Sequence, residues 1–348
     1  HIEKADGLST AKLLAHIKHA EAMNRRAWEI HFILMYPADG LYLDFEAYCK
    51  NLGLEEKDFV TLLKGFEGMP AQTDQEMWKL ARLALKTGLK ETFEKTPPEK
   101  LLDALAKKAA GKQWLKKFRT FLNVYGNRIT AAHLDVLFPT WKESPTPVLE
   151  TIITFFRRIE GGWDLAAARK DVIRMRNDAI AAFEKKLQDE KGFGKKQIAE
   201  FRRFLKAAQQ IYAYQEDHGF YIDQGCTAAL HNSLMAAGRR LKKYGLLLQP
   251  EDVFYLTYSE LVEVLEDLAR DEKIGAYHHV ALVPPLVVER KHDREMSYGA
   301  DAPLTVGNVP KTMTDPIAIK VFGIIDDVLH PKGEKKVVER LKGFPGAP

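Results

Sequence analysis

The sequence predicts a mainly α-helical fold, with at most a short β element near the C-terminal third of the chain. Three observations predict this fold. Apolar residues recur at spacings of three and four over several long stretches, which is the period of a helix with one buried face. Hydrophobic residues make up 46% of the 348 residues, enough for a sizeable core. Proline and glycine divide the periodic stretches into segments of helical length.

The first long stretch covers residues 9–35. One face of the predicted helix carries side chains at alternating spacings of four and three: Leu13, Ile17, Ala20, Asn24, Ala27, His31 and Leu34. Asn24 and His31 are polar, so each is expected to point toward the core or a cavity beneath it and to need a hydrogen-bond partner there. Pro37 is predicted to end this helix, and another is predicted to follow over residues 41–52.

Shorter helices are predicted next, over residues 55–66, 74–87, 98–108 and 112–124. The proline-rich passage at residues 138–147 is the expected boundary between two lobes. On that basis residues 1–140 form an N-terminal helical lobe and residues 141–348 form a C-terminal helical lobe. One continuous domain is the alternative.

The densest group of chemically active side chains lies at a junction between two predicted helices. The first of these helices covers residues 194–214, and the segment from Glu216 to Tyr221 follows it. Two packed helices would hold this segment at a fixed height, which suits a site that positions a proton acceptor. Farther along, residues 253–256 predict a short strand that pairs with residues 286–288.

Composition excludes several classes of function. Lys and Arg total 52 against 48 for Asp and Glu, and the surplus is spread along the chain, so no nucleic-acid or membrane partner is expected. The two cysteines, Cys49 and Cys226, have no C-x-x-C partner, which favours a reducing compartment and hence the cytoplasm. The histidines that lie close together in the sequence have no carboxylate or cysteine at the spacing of metal ligands, so no metal site is expected. Phosphate-binding glycine loops are absent from the sequence.

Two ordered motifs resemble a known family. The first begins at Glu216 as E-D-H-x-x-Y-I-D and continues through G-R-R-L to L-x-P-E-D-V-F-Y-L-T-x-x-E-L. The second, over residues 121–148, contains F-L-N-V-Y-G-N-R and then P-T-W-K-E-S-P. Together they resemble the helical substrate domain of the phosphoenolpyruvate-utilising enzymes, such as relatives of phenylphosphate synthase and rifampicin phosphotransferase. Thr140, Ser144 and Asn127 stand where arginine, aspartate and histidine are usual, and these departures bear on substrate identity.

The resemblance implies the acceptor-binding domain of an ATP-dependent, dikinase-like phosphotransferase. In such enzymes ATP is split elsewhere into AMP and phosphate, and the other phosphoryl group is placed on a histidine of a swivelling domain. The Gly/Pro-rich end at residues 341–348 is expected to be a linker to that absent domain, so the chain is interpreted as a piece of a longer enzyme. No cofactor is expected on this domain, because ATP and Mg²⁺ would bind the nucleotide-binding domain.

His218 is the predicted catalytic residue. A hydroxyl that attacks a phosphohistidine benefits from a neighbouring base whose pKa is about 6 to 7. His218 can take that proton, with Glu216 or Asp217 orienting its ring and with Tyr221 or Asp223 contacting the acceptor. The alternative is a hydrogen-bonded helix junction whose charges lie in water.

Further residues are predicted to bind the acceptor. His31 and two aromatic neighbours, Trp28 and Tyr36, can line a pocket for an aromatic compound, although the same side chains also suit a plain core. Arg128 and Arg176 can bind phosphoryl oxygens. Arg128 can alternatively fix the proline-rich turn, and Arg176 can alternatively belong to a solvated helix face.

The expected substrate is a small phenolic compound. Residues 28–37 read W-x-x-H-F-x-L-M-Y-P, which resembles relatives of phenylphosphate synthase. A rifampicin-type antibiotic is the alternative acceptor. A non-catalytic helical docking module, which only orders the moving parts of a larger assembly, is the alternative from a different class of function.

Overall fold

A computed structural model describes residues 5–129, 135–299, 308, 312 and 314–320. The chain divides into two compact units, residues 1–298 and residues 299–348. Residue 140, the expected lobe boundary, lies within the first unit. In the described part of the chain the regular structure is helical, apart from an isolated antiparallel β-bridge between Ile129 and Thr140. The prediction of a mainly α fold is confirmed.

Fourteen α-helices follow one another along the described residues: α1 (Thr10–Asn51), α2 (Glu56–Leu62), α3 (Met69–Lys86), α4 (Lys90–Lys95), α5 (Pro98–Ala106), α6 (Ala109–Tyr125), α7 (Thr146–Glu160), α8 (Leu165–Lys191), α9 (Lys195–His218), α10 (Gly225–Lys243), α11 (Tyr258–Arg270), α12 (Glu272–His279), α13 (Val283–Ser297) and α14 (Pro316–Lys320). Short 3₁₀ helices cover Ala5–Gly7 and Pro250–Tyr255. A π-helical segment, Gly219–Gln224, joins α9 to α10. No helix among the described residues is both long enough and apolar enough to cross a bilayer.

Helix α1 is continuous through Pro37, so the prediction that proline ends it was wrong. Proline has no N–H to donate to the Ile33 carbonyl, a loss that costs a helix interior about 3 kcal/mol. Packing offsets this cost, because α1 buries apolar side chains on both sides of the proline, from Leu13 and Ile17 near its start to Phe45 and Cys49 near its end.

Three apolar cores organise the first unit, and α1 connects two of them. The start of α1 packs with α10, α11 and α13 in one core. The end of α1 packs with α2, α8 and α9 in a second core. Helices α3 to α7 form the third core around the fully buried Trp114. The middle of α1 therefore lies between two cores, where His31 faces the end of α9 and the π-helical segment.

The predicted junction after α9 is not a break in the helix. Helix α9 continues into the π-helical segment and then into α10, so residues 195–243 form one helical run. Glycine at 219 and at 225 has ordinary helical backbone angles in this run. A sequence pattern read as two helices is in fact a single helix with a local change of pitch.

The predicted strand at residues 253–256 was also wrong. This segment belongs to the 3₁₀ helix Pro250–Tyr255, and residues 286–288 lie inside α13. Pro250 occupies the first turn, and the backbone N–H of Gln249 donates to Asp252 Oδ2 at 3.0 Å. Four apolar residues are too few for their periodicity to distinguish a strand from a helical turn.

Candidate functional site

The π-helical segment places two functional side chains on the same side of the helical run. His218 and Asp223 are five residues apart, and in a regular α-helix such residues point about 140° away from each other. A π-helix bonds residue i to residue i+5 and so brings that pair together. His218 Nε2 lies 3.1 Å from Asp223 Oδ1.

His31 on α1 completes a cluster of three side chains. Its Nδ1 lies 2.7 Å from His218 Nε2 and 2.8 Å from Asp223 Oδ1. The side chains of His31, His218 and Asp223 are 19%, 4% and 9% exposed, so the three polar atoms converge out of bulk water. We call these residues the His–His–Asp cluster. The predicted site residues His31 and His218 are therefore in direct contact.

The backbone fixes which nitrogen of His218 faces the cluster. Nδ1 of His218 lies 3.1 Å from the carbonyl oxygen of Gln215. A carbonyl oxygen can only accept, so Nδ1 carries the hydrogen, and in the neutral ring Nε2 presents a lone pair to the cluster. Among the described residues, Nε2 of His31 has no hydrogen-bond partner.

A second carboxyl group lies near the cluster. The side chain of Gln215 donates to Asp39 Oδ1 at 2.8 Å, and the same residue binds His218 through its backbone carbonyl. Burial raises the pKa of Asp39, while the hydrogen bond from Gln215 and the charges of His31 and His218 act in the opposite direction. Gln215 thus connects the cluster to an acidic residue on α1.

Aromatic side chains surround the outer edge of the His–His–Asp cluster. The Trp28 and Phe32 rings lie 4.9 and 5.0 Å from the His31 ring, and the Tyr214 ring lies 6.2 Å from the His218 ring. Phe32 is 61% exposed and Tyr214 is 37% exposed, while Trp28 is half-buried. Exposed aromatic surface next to a buried polar cluster suits a site for an aromatic ligand.

The other predicted residues of this region make their described contacts outside the His–His–Asp cluster. Tyr221 lies in the π-helical segment, where it is 57% exposed and contacts Phe220 at a ring distance of 5.1 Å. Tyr36 is 51% exposed, and none of its described ring contacts involves the cluster. The side chain of Glu216 lies outside the described part of the structure. Asp217 accepts a hydrogen bond from the backbone N–H of Met69 at the start of α3 and not from His218.

Arg128 connects the proline-rich turn to the π-helical segment. Its Nε donates to Gln224 Oε1 at 2.6 Å, and its guanidinium lies 4.6 Å from the centre of the Trp141 ring. Phe220, also in the π-helical segment, lies 5.7 Å from the guanidinium. These contacts hold Arg128 against Gln224, the residue that follows Asp223.

The described contacts of Arg176 do not involve the His–His–Asp cluster. Its guanidinium donates to the carbonyls of Lys64 and Gly65 at 2.9 and 3.3 Å and lies 4.4 Å from the centre of the Phe66 ring. Burial lowers the pKa of Arg176. In this position the side chain supports the connection between α2 and α3.

His231, which the sequence analysis did not single out, forms a buried ion pair with Glu143. Its Nε2 lies 2.8 Å from Glu143 Oε2 and its Nδ1 lies 2.6 Å from the Val136 carbonyl. Both ring nitrogens face acceptors, so the ring is a protonated imidazolium. Thr140 donates to the same Glu143 oxygen through its backbone N–H and its hydroxyl. Glu143 therefore attaches the proline-rich turn to α10.

The pKa shifts of this ion pair predict that its contribution to stability is greatest in mildly acidic solution. Burial alone would raise the pKa of Glu143, but its hydrogen bonds from His231 and Thr140 lower it from 4.5 to about 2. Burial alone would lower the pKa of His231, but its bonds to Glu143 and Val136 raise it above 6.5. The contribution of Glu143 is lost as pH falls from 4.5 toward 2, and that of His231 is lost as pH rises through its raised pKa.

We expect the stabilisation from this pair to be greatest between pH 4.5 and pH 6.5. Glu143→Gln should cost about 2 kcal/mol at pH 5.5, less than for a fully buried pair because Glu143 remains partly exposed. Urea denaturation of both proteins across pH 3 to 9 measures the difference in the free energy of unfolding. A constant difference across that range would show that the pair is not ionised as described.

Comparison with known proteins identifies the family. The model of the rifampicin phosphotransferase fourth domain matches residues 12–216, more than half of the chain. His31 lies inside this matched range, and His218 and Asp223 follow directly after it.

Curated relatives agree with the family match. The chain is 26% identical over 94% of its length to chondramide synthase cmdD of Chondromyces crocatus, and 24% identical over 86% to the uncharacterized phosphotransferase YvkC of Bacillus subtilis. It is 28% identical over 54% to a rifampicin phosphotransferase of Streptomyces sviceus. The aligned regions span only 8%, 34% and 22% of these relatives. The chain belongs to the family of the rifampicin phosphotransferase fourth domain, a phosphotransferase-type domain.

Proposed function

We propose that this chain is the acceptor-binding domain of an ATP-dependent, dikinase-type phosphotransferase that phosphorylates the hydroxyl of a small phenolic compound. The observation that carries the proposal is the His–His–Asp cluster, buried between α1 and the helical run of α9 and α10 and bordered by exposed aromatic rings. Nucleotide-binding and phosphohistidine domains of the same enzyme, acting in the cytoplasm, would supply the phosphoryl group.

The chemistry at the cluster is proton removal followed by in-line attack. The acceptor oxygen loses its proton, forms a bond to phosphorus, and displaces the nitrogen of the phosphohistidine. His218 is the proposed proton acceptor, because Nε2 presents a lone pair and Nδ1 is held by the Gln215 carbonyl. Asp223 then stabilises the charge that His218 acquires.

The aromatic border supports a hydroxylated aromatic acceptor. Phe32 and Tyr214 present ring surface to solvent, and Trp28 packs against both His31 and Phe32. A planar phenol can cover these rings while its hydroxyl reaches the cluster. Tyr36 and Tyr221 remain proposed contacts for the acceptor, since both are exposed.

A rifampicin-type antibiotic is the second candidate acceptor. It is favoured by the family match and by the relatives described as rifampicin phosphotransferases. The exposed aromatic side chains can also contact a macrocycle. A docking module without an acceptor site is the remaining candidate.

Ligand-dependent thermal stability tests these candidates. A ligand present at one hundred times its dissociation constant should stabilise the chain by about 2.7 kcal/mol. We expect phenol or guaiacol to shift the melting temperature of the chain upward. Rifampicin should do so if the second candidate is correct. Phe32→Ala should reduce the shift, and Tyr277→Ala on α12, which removes an even more exposed ring, should leave it unchanged. Failure of every compound to stabilise the chain would favour the docking module.

A further inference from the structure

We propose that the His–His–Asp cluster binds one divalent transition-metal ion, with His31 Nδ1, His218 Nε2 and Asp223 Oδ1 as its ligands. This departs from the expectation of no metal. The inference deepens the proposed function, and the role of the ion in transfer rests on that function. Binding of the ion to the chain does not depend on it.

The spacing of the three atoms fits a metal ion. They lie 2.7, 2.8 and 3.1 Å apart, so each of them is close to both of the others. Ligands bonded at about 2.1 Å are about 3.0 Å apart when they meet at right angles and about 3.4 Å apart at tetrahedral angles. The triangle therefore matches one face of an octahedron, which leaves three positions for water or an acceptor oxygen.

When both rings are neutral, hydrogen bonds alone do not satisfy this triangle. His218 carries its hydrogen on Nδ1, so its Nε2 lone pair faces a carboxylate oxygen at 3.1 Å with no proton between them. The single hydrogen on His31 Nδ1 can point at only one of its two neighbours. A cation on one side of the triangle, bonded to all three atoms, would satisfy their lone pairs once the hydrogen of His31 is on Nε2, in a place where unpaired polar atoms are costly.

The surroundings also resemble those of a metal ligand. Metal-binding histidines usually donate their other ring N–H to a carbonyl or carboxylate, which fixes the tautomer and the ring orientation. His218 makes this bond to the Gln215 carbonyl, and Gln215 is fixed in turn by Asp39.

The ligand types select the class of metal. Two imidazole nitrogens and one carboxylate oxygen favour Zn²⁺, Mn²⁺, Co²⁺ or Fe²⁺, whereas Mg²⁺ and Ca²⁺ prefer oxygen ligands alone.

Sequence spacing could not indicate this site. His31 is 187 residues from His218, and His218 and Asp223 meet only because of the π-helical segment.

A bound ion would change which group acts on the hydroxyl. The acceptor oxygen would bind an open position of the ion, its pKa would fall, and its proton would pass to water. The resulting alkoxide or phenoxide then forms the bond to phosphorus as the phosphorus–nitrogen bond breaks. His218 would serve as a ligand in place of the proton acceptor.

Metal binding to the chain tests the inference directly. The chain is stripped with a chelator and titrated calorimetrically with Zn²⁺, Mn²⁺, Co²⁺ and Mg²⁺. We expect one transition-metal ion per chain, a visible absorption band with Co²⁺, and much weaker binding of Mg²⁺. Asp223→Asn keeps the side-chain size and should lower affinity by more than about 100-fold, beyond the effect of losing an outer-shell partner.

His19→Ala is the matched control, because His19 is an exposed histidine on the same helix as His31 and should not affect binding. Circular dichroism tests whether each variant is folded. If Asp223→Asn does not fold, His31→Gln provides a second variant that lacks one ligand. Absence of one-to-one binding, or equal binding by Asp223→Asn and His19→Ala, would overturn the metal site. Transfer by the metal-stripped full-length enzyme at an undiminished rate would overturn the role of the ion and leave His218 as the base. One-to-one binding without any acceptor transfer would support the site and reject the proposed function.

Discussion

Replacing His218 by alanine in the full-length enzyme is expected to abolish transfer to the acceptor while leaving phosphorylation of the carrier histidine by ATP intact. The loss should be at least 100-fold, the lower end of the range for removing a general base, estimated at about 10² to 10⁴. In the proposed function His218 belongs to the acceptor site, where it contacts His31 and Asp223, so its loss should affect only the transfer from the phosphohistidine to the acceptor.

The two half-reactions can be measured separately. ATP labelled in its β and γ phosphates reports the phosphohistidine, and product analysis by mass spectrometry reports the phosphorylated acceptor. His19→Ala, with an exposed side chain, serves as the control and should retain both activities. His218→Gln keeps a hydrogen-bonding side chain at this buried position and separates chemistry from folding. Loss of both half-reactions, or of neither, would remove His218 from the proposed role.

The sequence predicted the helical class and named all three cluster residues, although it predicted that Asp223 contacts the acceptor and not His218. His31 was found because it interrupts an apolar face, and a buried polar side chain on such a face requires a partner. His218 was found because acidic and aromatic residues surround it in a motif. Both signals depend on local spacing, which single-sequence reasoning handles well. Leu34, predicted on the same face as His31, is instead 38% exposed.

The rest of the site depends on features that local spacing does not encode. Asp223 faces His218 only in the π-helical segment, and in a regular α-helix it would point away. The uninterrupted course of α1 through Pro37 depends on two separate cores, and sequence rules weigh the proline without that packing. The pairing of His231 with Glu143 joins residues 88 apart and required the tertiary structure.

Gly238, in the G-R-R-L motif that supported the family resemblance, illustrates a residue whose role only the structure explains. It lies in α10, where the 3₁₀ helix Pro250–Tyr255 crosses closely. A Cβ atom at Gly238 would lie 2.0 Å from the carbonyl oxygen of Pro250 and 2.8 Å from its carbonyl carbon. The obstacle is backbone and cannot move aside as a flexible side chain can. The backbone conformation of Gly238 is ordinary, so close packing, and not conformation, is the reason that glycine is required here.

We expect Gly238→Ala to destabilise the chain by about 3 kcal/mol, because overpacking against backbone outweighs the gain of about 1 kcal/mol in helix propensity. Gly40→Ala in α1 is the matched control, since no heavy atom lies within 4 Å of the new Cβ. That change should stabilise the chain by about 0.5 to 1 kcal/mol. Urea denaturation at constant pH gives both free energies of unfolding from the midpoint and slope. The same chemical change in two helices should thus have opposite signs, and a stabilising Gly238→Ala would contradict the close approach of residues 250–255 to α10.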